Sequence, residues 1–241
     1  MKTKRFIPVC EPLLGEREKQ YLTECVETGW ISSEGRFVRL LEAEFAARVQ
    51  RKHGIAVCNG TAAIDLAVAV LELKPGSEVI MPAFTIISCA AALVRQNLKP
   101  VLIDADPQTW NMNPDDVESH INERTGAIMA VHIYGLPVDM APLKDLAAKY
   151  NLRVIEDSAE AQGQAYNGQP CGSFGDISIF SFYSNKFVTT GEGGMVLTDD
   201  DQLAERARSL RNLCFQPEQR FIHTELGWNY RMSNLQAAVG V

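Results

Sequence analysis

Short runs of β-branched and other apolar residues alternate along this chain with longer segments in which apolar positions recur every three to four residues. The short runs are typical of buried strands, and the longer segments are typical of helices with one apolar face. The pattern predicts strands within 55–60, 78–84, 99–106, 127–135, 152–161 and 175–182, a further strand within 193–199, and helices at 61–73, 88–97 and 140–151 and between 106 and 127.

Strands that alternate with helices form βαβ units, in which successive strands run parallel and helices cover both faces of the sheet. We therefore predict an α/β fold with a mostly parallel sheet, and we expect ligands at the carboxyl ends of its strands. The last segment, 230–241, has a helical pattern without a terminating signal. We expect the chain to be the front part of a longer protein.

The overall composition narrows the class of protein. The 241 residues are 46% hydrophobic and 22% charged, which is ordinary for a globular protein, and a net charge of −7 argues against nucleic acid as a partner. No apolar run reaches the roughly 20 residues that cross a bilayer, and the first residues lack the apolar core of a secretory signal. Six scattered cysteines without a C-x-x-C pair and four histidines without zinc-site spacing favour reduced thiols and no metal site. These features predict a cytoplasmic protein.

Lys186 lies between a strand-like run of aromatic residues and a cluster of three glycines, in the stretch SIFSFYSNKFVTTGEGGMV (178–196). A lysine is usually a solvated surface charge. Here the preceding aromatic residues predict an amine packed against apolar side chains, and such an amine loses solvation and becomes able to attack carbonyl groups. That is the chemistry of a Schiff-base lysine. Both interpretations of Lys186 stay open at this point.

An anion-binding turn is predicted where the first strand passes into the next helix. In CNGTAA (58–63), Asn59 and Gly60 turn the chain, and Thr61 is the expected N-cap of the helix. Free N–H groups and the helix dipole at such a position suit a phosphate monoester, and the alternative is an ordinary Asn-Gly turn. Ser181, near the end of a later strand, is a second hydroxyl that we expect near the same phosphate, unless it only satisfies local backbone groups.

Asp157 ends the apolar strand in VIEDSAEAQG (154–163). A buried carboxylate needs a cationic partner, and the N–H of a pyridinium ring is such a partner in pyridoxal phosphate (PLP) enzymes. The alternatives are a cap on the next helix or a pair with an arginine. Fingerprints of dinucleotide, P-loop and serine-hydrolase sites are missing from the sequence. The order of the phosphate turn, Asp157 and Lys186 on one α/β scaffold therefore favours a cofactor site.

Several longer motifs together resemble one family. NGTAA (59–63), GSEVIMP (76–82), VIEDSAEAQG, FGDISIFSF (174–182) with the following NK, TTGEGGMV (189–196) and GWNYRMSNLQAA (227–238) are similar to the DegT/DnrJ/EryC1/StrS family of PLP-dependent sugar aminotransferases. The resemblance covers essentially the whole chain. It implies the aspartate-aminotransferase-like fold (PLP fold type I), with an N-terminal arm and the PLP-binding large domain over 1–241 and without the family's small C-terminal domain. It also implies a homodimer with shared active sites.

The same resemblance implies roles for individual residues. Lys186 matches the lysine that forms a Schiff base with PLP and moves a proton during the reaction. Asp157 matches the carboxylate at the pyridine nitrogen, and Glu160 falls beside the cofactor ring. Asn229 matches an asparagine that reaches the phosphate of the neighbouring subunit, whereas Ile86 departs from the family at a position that usually carries an aromatic stacked on the ring. Phosphate contacts are implied for Gly60, Thr61, Ala62 and Ser181.

The implied reaction is a transamination in which glutamate donates its amino group, through PLP, to a nucleotide-linked keto-deoxysugar. The stretches GWISSEGRFV (29–38), VHIYGLPVDM (131–140) and EDSAEA (156–161) are similar to those of family members that act on GDP-4-keto-6-deoxymannose, which implies a role in lipopolysaccharide O-antigen or other surface-glycan synthesis. Three alternatives stay open. They are a UDP- or dTDP-linked 3- or 4-keto sugar as substrate, a dehydratase of the same family, which carries a histidine in place of Lys186, and a non-catalytic family fragment.

Overall fold

A seven-stranded β-sheet runs through the computed structural model of the protein, which describes residues 6–216 and 218–241. The strands are β1 (His53–Val57), β2 (Glu78–Pro82), β3 (Lys99–Ile103), β4 (Thr125–Val131), β5 (Arg153–Asp157), β6 (Ala165–Tyr166), β7 (Gln169–Pro170), β8 (Ile177–Ser181) and β9 (Gly194–Thr198), of which β6 and β7 form a separate hairpin. The helices are α1 (Glu16–Thr28), α2 (Arg36–Arg48), α3 (Gly60–Val70), α4 (Ile87–Arg95), α5 (Pro114–Val117), α6 (Met140–Tyr150), α7 (Asp201–Arg211) and α8 (Asn234–Gly240), with short 3₁₀ turns at Glu118–His120 and Ile133–Gly135. In the described ranges, no helix has both the length and the apolar character that crossing a membrane requires.

The strand order of the sheet is β1-β9-β8-β5-β4-β2-β3. β9 is antiparallel to both of its neighbours, and the remaining pairs are parallel, as the sequence predicts for most of the sheet. The register of β5 places Asp157 beside Val131 of β4 and Ile179 of β8. The carboxyl ends of the parallel strands therefore lie along one edge of the sheet, and Asp157 lies near the middle of that edge.

Helices cover both faces of the sheet, so its inner strands are buried on both sides, whereas the edge strand β3 is partly exposed. β2, β8 and β9 are buried at every position, which explains why their sequences are continuous apolar runs rather than alternating ones. α3, α4 and α7 contribute to the core on one face, whereas α2, α6 and α8 contribute to the core on the other. α3 buries eight of its 11 residues, and its alanines allow close packing against β8 and β9.

Some elements differ in extent from the predictions. α3 ends at Val70 rather than at 73. The helix predicted at the end of the chain begins at Asn234 rather than near 230, because Tyr230 and Arg231 pair with the end of β1 and with the residue that follows it. The carbonyl oxygen of Tyr230 accepts a hydrogen bond from the N–H of Cys58 at 2.8 Å, and Arg231 forms a bridge with Val57. Long-range pairing therefore overrides the local helical pattern in this segment.

α1, α2, α7 and the β6–β7 hairpin are additional to the predicted elements. In α7 the buried residues are Ala204, Ala207 and Leu210, and in α1 the buried residue is Cys25. Such narrow apolar stripes give a weak periodic signal, because few positions of these helices are fully buried.

Candidate active site

A cavity of about 810 Å³ opens at the carboxyl ends of the parallel strands. The sequence predicts nine residues of the site. Eight of them line this cavity, and Asn229 is not among its described lining residues. The Asn229 side chain is exposed and accepts a hydrogen bond from Nε of Arg231 at 2.9 Å. The eight predicted residues that line the cavity are Gly60, Thr61, Ala62, Ile86, Asp157, Glu160, Ser181 and Lys186.

α3 begins at the predicted anion-binding turn, but its N-cap is Asn59 and not Thr61, which is the second residue of the helix. The Asn59 side chain accepts a hydrogen bond from the N–H of Ala62 at 2.8 Å. Gly60 is required at the start of the helix, because a Cβ there would lie 2.7 Å from the Cβ of Ser181. The positive end of the α3 dipole thus lies beside Ser181 at the cavity wall, which is an arrangement suited to a phosphate.

The Asp157 carboxylate lies at the end of β5, and 3% of the residue is exposed. Oδ1 accepts a hydrogen bond from the N–H of Ala159 at 3.0 Å, and Oδ2 accepts one from the Cys89 thiol at 3.3 Å. Burial raises the pKa of Asp157 above its usual value, and these two hydrogen bonds only reduce the rise. Among the described residues no arginine or lysine forms an ion pair with Asp157, so the arginine alternative is wrong. A cationic N–H from a bound group would be the partner that this carboxylate lacks.

Lys186 lies in the loop between β8 and β9, with 17% of its side chain exposed. Its Nζ is 3.1 Å from Oε1 of Glu160, whose other carboxylate oxygen accepts a hydrogen bond from the N–H of Tyr134 at 2.7 Å. Glu160 therefore connects the lysine to the segment that follows β4. The amine is held at the cavity wall by a carboxylate and is not a freely solvated surface charge.

The surroundings of Lys186 differ from the apolar packing that the sequence suggests. Phe180 and Phe182, which precede the lysine, do not pack against it. Both are buried in the core between the sheet and helices α2 and α8. Tyr183 and Phe187 are 48% and 84% exposed. The rings of Phe180 and Phe182 thus lie away from the amine, and the polar partner of Lys186 is the charged Glu160 carboxylate.

His132 and Glu156 form a buried hydrogen bond next to Asp157, and sequence reasoning missed it. Neither side chain is exposed, and Nε2 of His132 lies 3.0 Å from Oε1 of Glu156. Nδ1 of His132 accepts the N–H of Val138 at 3.1 Å, so the proton of the neutral ring is on Nε2. The other carboxylate oxygen accepts from the N–H groups of Phe174 and Gly175 at 2.8 and 3.0 Å.

These contacts decide the protonation state of Glu156. Burial alone would raise its pKa, but the hydrogen bond from His132 and the N–H groups of Gly172 and Gly175 outweigh burial and lower the pKa of Glu156 below its usual value. A buried carboxylate with this many donors orders the segment around Gly172–Gly175 and the ends of β4 and β5. The only sequence signal for it is the pair of adjacent acids at the end of β5.

Replacing Glu156 by alanine is expected to lower the free energy of unfolding by roughly 3–5 kcal/mol, because His132 and several buried N–H groups lose their partner and each unsatisfied buried donor costs about 1–3 kcal/mol. The lowered pKa of Glu156 means that its contribution is present at neutral pH and is lost as pH falls through the folded-state pKa, below the usual value near 4.5. Urea unfolding of the wild type and of Glu156→Ala at neutral and acid pH measures the difference, which should shrink on acidification.

Glu205→Ala is the matched control for this prediction, because Glu205 is an exposed glutamate on α7. Its effect should stay within about 0.5 kcal/mol. An equal loss in the two variants, or a difference that does not depend on pH, would contradict the role given to Glu156.

Ile86 lies at the cavity rim as the N-cap of α4, with 61% of the residue exposed. An aliphatic side chain thus occupies the position at which the family resemblance implies an aromatic stack. Aromatic surface at this rim comes instead from Phe84, whose ring centroid is 5.7 Å from that of Trp110 and 6.1 Å from that of Tyr134, both in edge-on contact.

The pattern of the DegT/DnrJ/EryC1/StrS aminotransferase family matches residues 12–241. The chain belongs to this family. GDP-perosamine synthase of Caulobacter vibrioides is 46% identical over 235 residues, which are 98% of this chain and 63% of that protein. UDP-N-acetyl-3-dehydro-alpha-D-glucosamine 3-aminotransferase of Acidithiobacillus ferrooxidans is 45% identical over 202 residues, which are 83% of this chain and 54% of that protein. The chain therefore spans less than two thirds of the length of these relatives.

Solved structures of aminotransferases share the fold. An aminotransferase from Psychrobacter cryohalolentis superposes with a TM-score of 0.91 at 34% identity, over 98% of this chain and 62% of that one. NtdA from Bacillus subtilis with bound cofactor PMP superposes with a TM-score of 0.85 at 32% identity, over 93% of this chain and 51% of that one. The predicted aspartate-aminotransferase-like fold (PLP fold type I), with a mostly parallel sheet flanked by helices, is confirmed.

Proposed function

We propose that this chain acts as a PLP-dependent nucleotide-sugar aminotransferase, which moves an amino group from glutamate to a keto-deoxysugar. One observation carries the proposal: the Lys186 amine, the Asp157 carboxylate and the N-terminus of α3 line the same cavity at the carboxyl edge of the sheet. Membership of an aminotransferase family supports the reaction class.

The residues of the cavity fit the three polar parts of PLP. The buried Asp157 carboxylate suits a pyridinium N–H, and the start of α3 beside Ser181 suits a phosphate. The Lys186 amine suits the carbonyl group. When bound, PLP would supply an electron sink for the carbon that carries the amino group, and its amine form would carry the nitrogen between the two substrates.

The residues of this chain then have distinct tasks. Glu160 accepts hydrogen bonds from Lys186 and from the N–H of Tyr134, so it holds the amine in place at the cavity wall. Among the described lining residues Lys186 carries the only amine, and we assign two proton transfers to its Nζ: removal of a proton from the donor carbon in the first half-reaction and delivery of a proton to the acceptor carbon in the second. The buried Asp157 carboxylate would hold the ring nitrogen of bound PLP, and its burial would exclude competing water.

The sugar that we propose is GDP-4-keto-6-deoxymannose, with GDP-perosamine as the product. The support is the 46% identity to a GDP-perosamine synthase over nearly the whole chain. The 45% identity to an enzyme named for a UDP-linked 3-keto sugar supports a second candidate, another 3- or 4-keto nucleotide sugar. The role in O-antigen or other surface-glycan synthesis stays a prediction.

A homodimer in the cytoplasm completes the proposal. Asn229 is exposed and outside the lining of the cavity, which fits a residue that contacts the phosphate site of a neighbouring subunit. All six cysteines are free thiols, and four of them are buried, which fits a reducing compartment. Light scattering of the purified chain is expected to give the mass of a dimer.

Two successive assays test the proposed function. The chain loaded with PLP is first mixed with glutamate, and 2-oxoglutarate is measured by mass spectrometry. GDP-4-keto-6-deoxymannose, a dTDP-4-keto-6-deoxysugar and UDP-N-acetyl-3-keto-glucosamine are then added separately, and aminated products are measured. We expect one equivalent of 2-oxoglutarate per site and fastest amination of the GDP sugar.

Each other outcome has a definite meaning. Preferred amination of the UDP or dTDP sugar would support the second candidate. Loss of oxygen from the sugar without gain of nitrogen would indicate the dehydratase alternative. PLP binding without 2-oxoglutarate would contradict the catalytic proposal for this chain.

A further inference from the structure

Cys89 lies beneath Asp157 and contacts it directly. The residue is in the first turn of α4, with none of its surface exposed. Its Sγ is 3.3 Å from Oδ2 of Asp157, within the range of a hydrogen bond to sulfur, and 68 residues separate the two in the chain. The hydroxyl of Thr85, one of the lining residues of the cavity, is 3.5 Å from the same sulfur.

The direction of these hydrogen bonds follows from the chemistry of the groups. Burial, together with the negative charge of Asp157, raises the pKa of the Cys89 thiol far above its usual value, so the sulfur keeps its proton. An ionised carboxylate only accepts, so the S–H donates to Asp157, and the Thr85 hydroxyl donates to the sulfur. The result is a chain of donors from Thr85 through Cys89 to Asp157.

We propose that Cys89 is a positioning residue, which holds Oδ2 of Asp157 so that the carboxylate faces the ring nitrogen of the cofactor. The N–H of Ala159 fixes the other oxygen at 3.0 Å, so the two donors together prevent rotation of the carboxylate. A thiol is a weak donor, and it orients the group while withdrawing less charge than a hydroxyl would. The role toward the cofactor rests on the proposed function, whereas the contact with Asp157 does not.

A purely structural role would predict different behaviour. Cys89 also belongs to the hydrophobic core that includes Ala92 and Leu93, so its truncation leaves a small void whatever the thiol does. Cys214 offers a matched comparison, because it is a fully buried cysteine of the same core and, unlike Cys89, forms no hydrogen bond with Asp157. Loss of packing alone should affect Cys89→Ala and Cys214→Ala alike.

The experiment compares Cys89→Ala, Cys89→Ser and Cys214→Ala with the wild type in two measurements. The first is a pH titration of the Asp157 carboxyl carbon by NMR of the chain labelled at aspartate and free of PLP. The second is the dissociation constant for PLP. The other titratable groups that face Asp157 are His132, at the end of β4, and Lys186, in the loop after β8, and both are unchanged in all variants.

We expect Cys89→Ala to raise the titration midpoint of Asp157 by roughly half a pH unit, because the ionised form loses a donor. Cys89→Ser should lower the midpoint by a similar amount, because a hydroxyl is the stronger donor, and Cys214→Ala should leave it unchanged. Cys89→Ala should also weaken PLP binding by about 3- to 10-fold, the loss expected for one weak hydrogen bond, and Cys89→Ser should restore it.

An unchanged midpoint in Cys89→Ala, or equal shifts in Cys89→Ala and Cys214→Ala, would overturn the proposal. If the Cys89 variants shift the titration midpoint of Asp157 but bind PLP as tightly as the wild type, Cys89 does not position Asp157 for the cofactor. If the variants shift the Asp157 midpoint as expected but the wild type does not bind PLP, the proposed function is overturned and the Cys89–Asp157 contact is still supported.

Discussion

Replacing Lys186 by alanine is expected to reduce the rate of 2-oxoglutarate formation from glutamate by roughly 10³-fold, because the only amine among the described lining residues is the group that we assign to proton transfer. The fold should survive the change. The partner of Lys186 is Glu160, whose side chain is 32% exposed, and a partly solvated ion pair contributes at most about 1 kcal/mol. The measurement is the single-turnover rate with PLP-loaded protein, together with the thermal unfolding midpoint.

Lys74→Ala is the control for this variant, since Lys74 is an exposed lysine in the loop before β2. It should keep the wild-type rate. If Lys186→Ala turns over at the wild-type rate, Lys186 is not the group that transfers the proton. A rate loss that appears only together with a lower unfolding midpoint would mean that the variant reports on folding and not on chemistry.

Asp157→Asn is the second substitution with a large expected effect, and it should separate stability from function. An amide is not ionised beside the ring nitrogen, so we expect turnover to fall by roughly 10²–10³-fold, the range seen when one preorganised electrostatic group is removed. PLP should also bind more weakly. The measurements are the single-turnover rate with glutamate and the dissociation constant for PLP.

The same variant should be at least as stable as the wild type when PLP is absent. Burial raises the pKa of Asp157 in the folded state, so ionisation of this group opposes folding. The cost appears as pH rises through the unfolded-state pKa near 3.8 and is complete above the raised folded-state pKa. Asparagine does not ionise and avoids this cost, so thermal unfolding without PLP at neutral pH should give a midpoint equal to or higher than that of the wild type.

Asp145→Asn, an exposed position on α6, is the control and should change neither stability nor PLP binding. A strongly destabilised Asp157→Asn protein would show that the carboxylate stabilises the fold. Unchanged PLP affinity and turnover would show that Asp157 does not face the cofactor.

The strands and the location of the site were predictable because their signals are local. β8 is five consecutive buried residues, and such a run predicts a strand in a sheet covered on both faces. Asp157 ends an apolar strand and Lys186 follows another, so parallel topology alone brings both to the carboxyl edge. The turn at Asn59–Gly60 precedes a strongly apolar helix, and this order predicts the helix N-terminus that the structure places at the cavity wall.

The remaining features of the site depend on contacts between distant parts of the chain. His132 and Glu156 are 24 residues apart, and nothing in either segment indicates that strands β4 and β5 bring them together in the core. The aromatic residues before Lys186 predict an apolar environment, but Phe180 in β8 and Phe182 just after it are buried in the core, away from the amine. The helix starts two residues earlier than predicted, with Asn59 instead of Thr61 as its N-cap, and both side chains are common N-caps, so local preference does not separate the two starts.

Borohydride trapping of the PLP-incubated protein, followed by peptide mass mapping, shows whether Lys186 forms a Schiff base with PLP. We expect a reduced pyridoxyl group on Lys186 and none on the exposed Lys74, with trapping lost in Lys186→Ala. Pyridoxyl on another lysine, or none on Lys186 at PLP concentrations that saturate binding, would contradict the claim that Lys186 and Asp157 form a cofactor site.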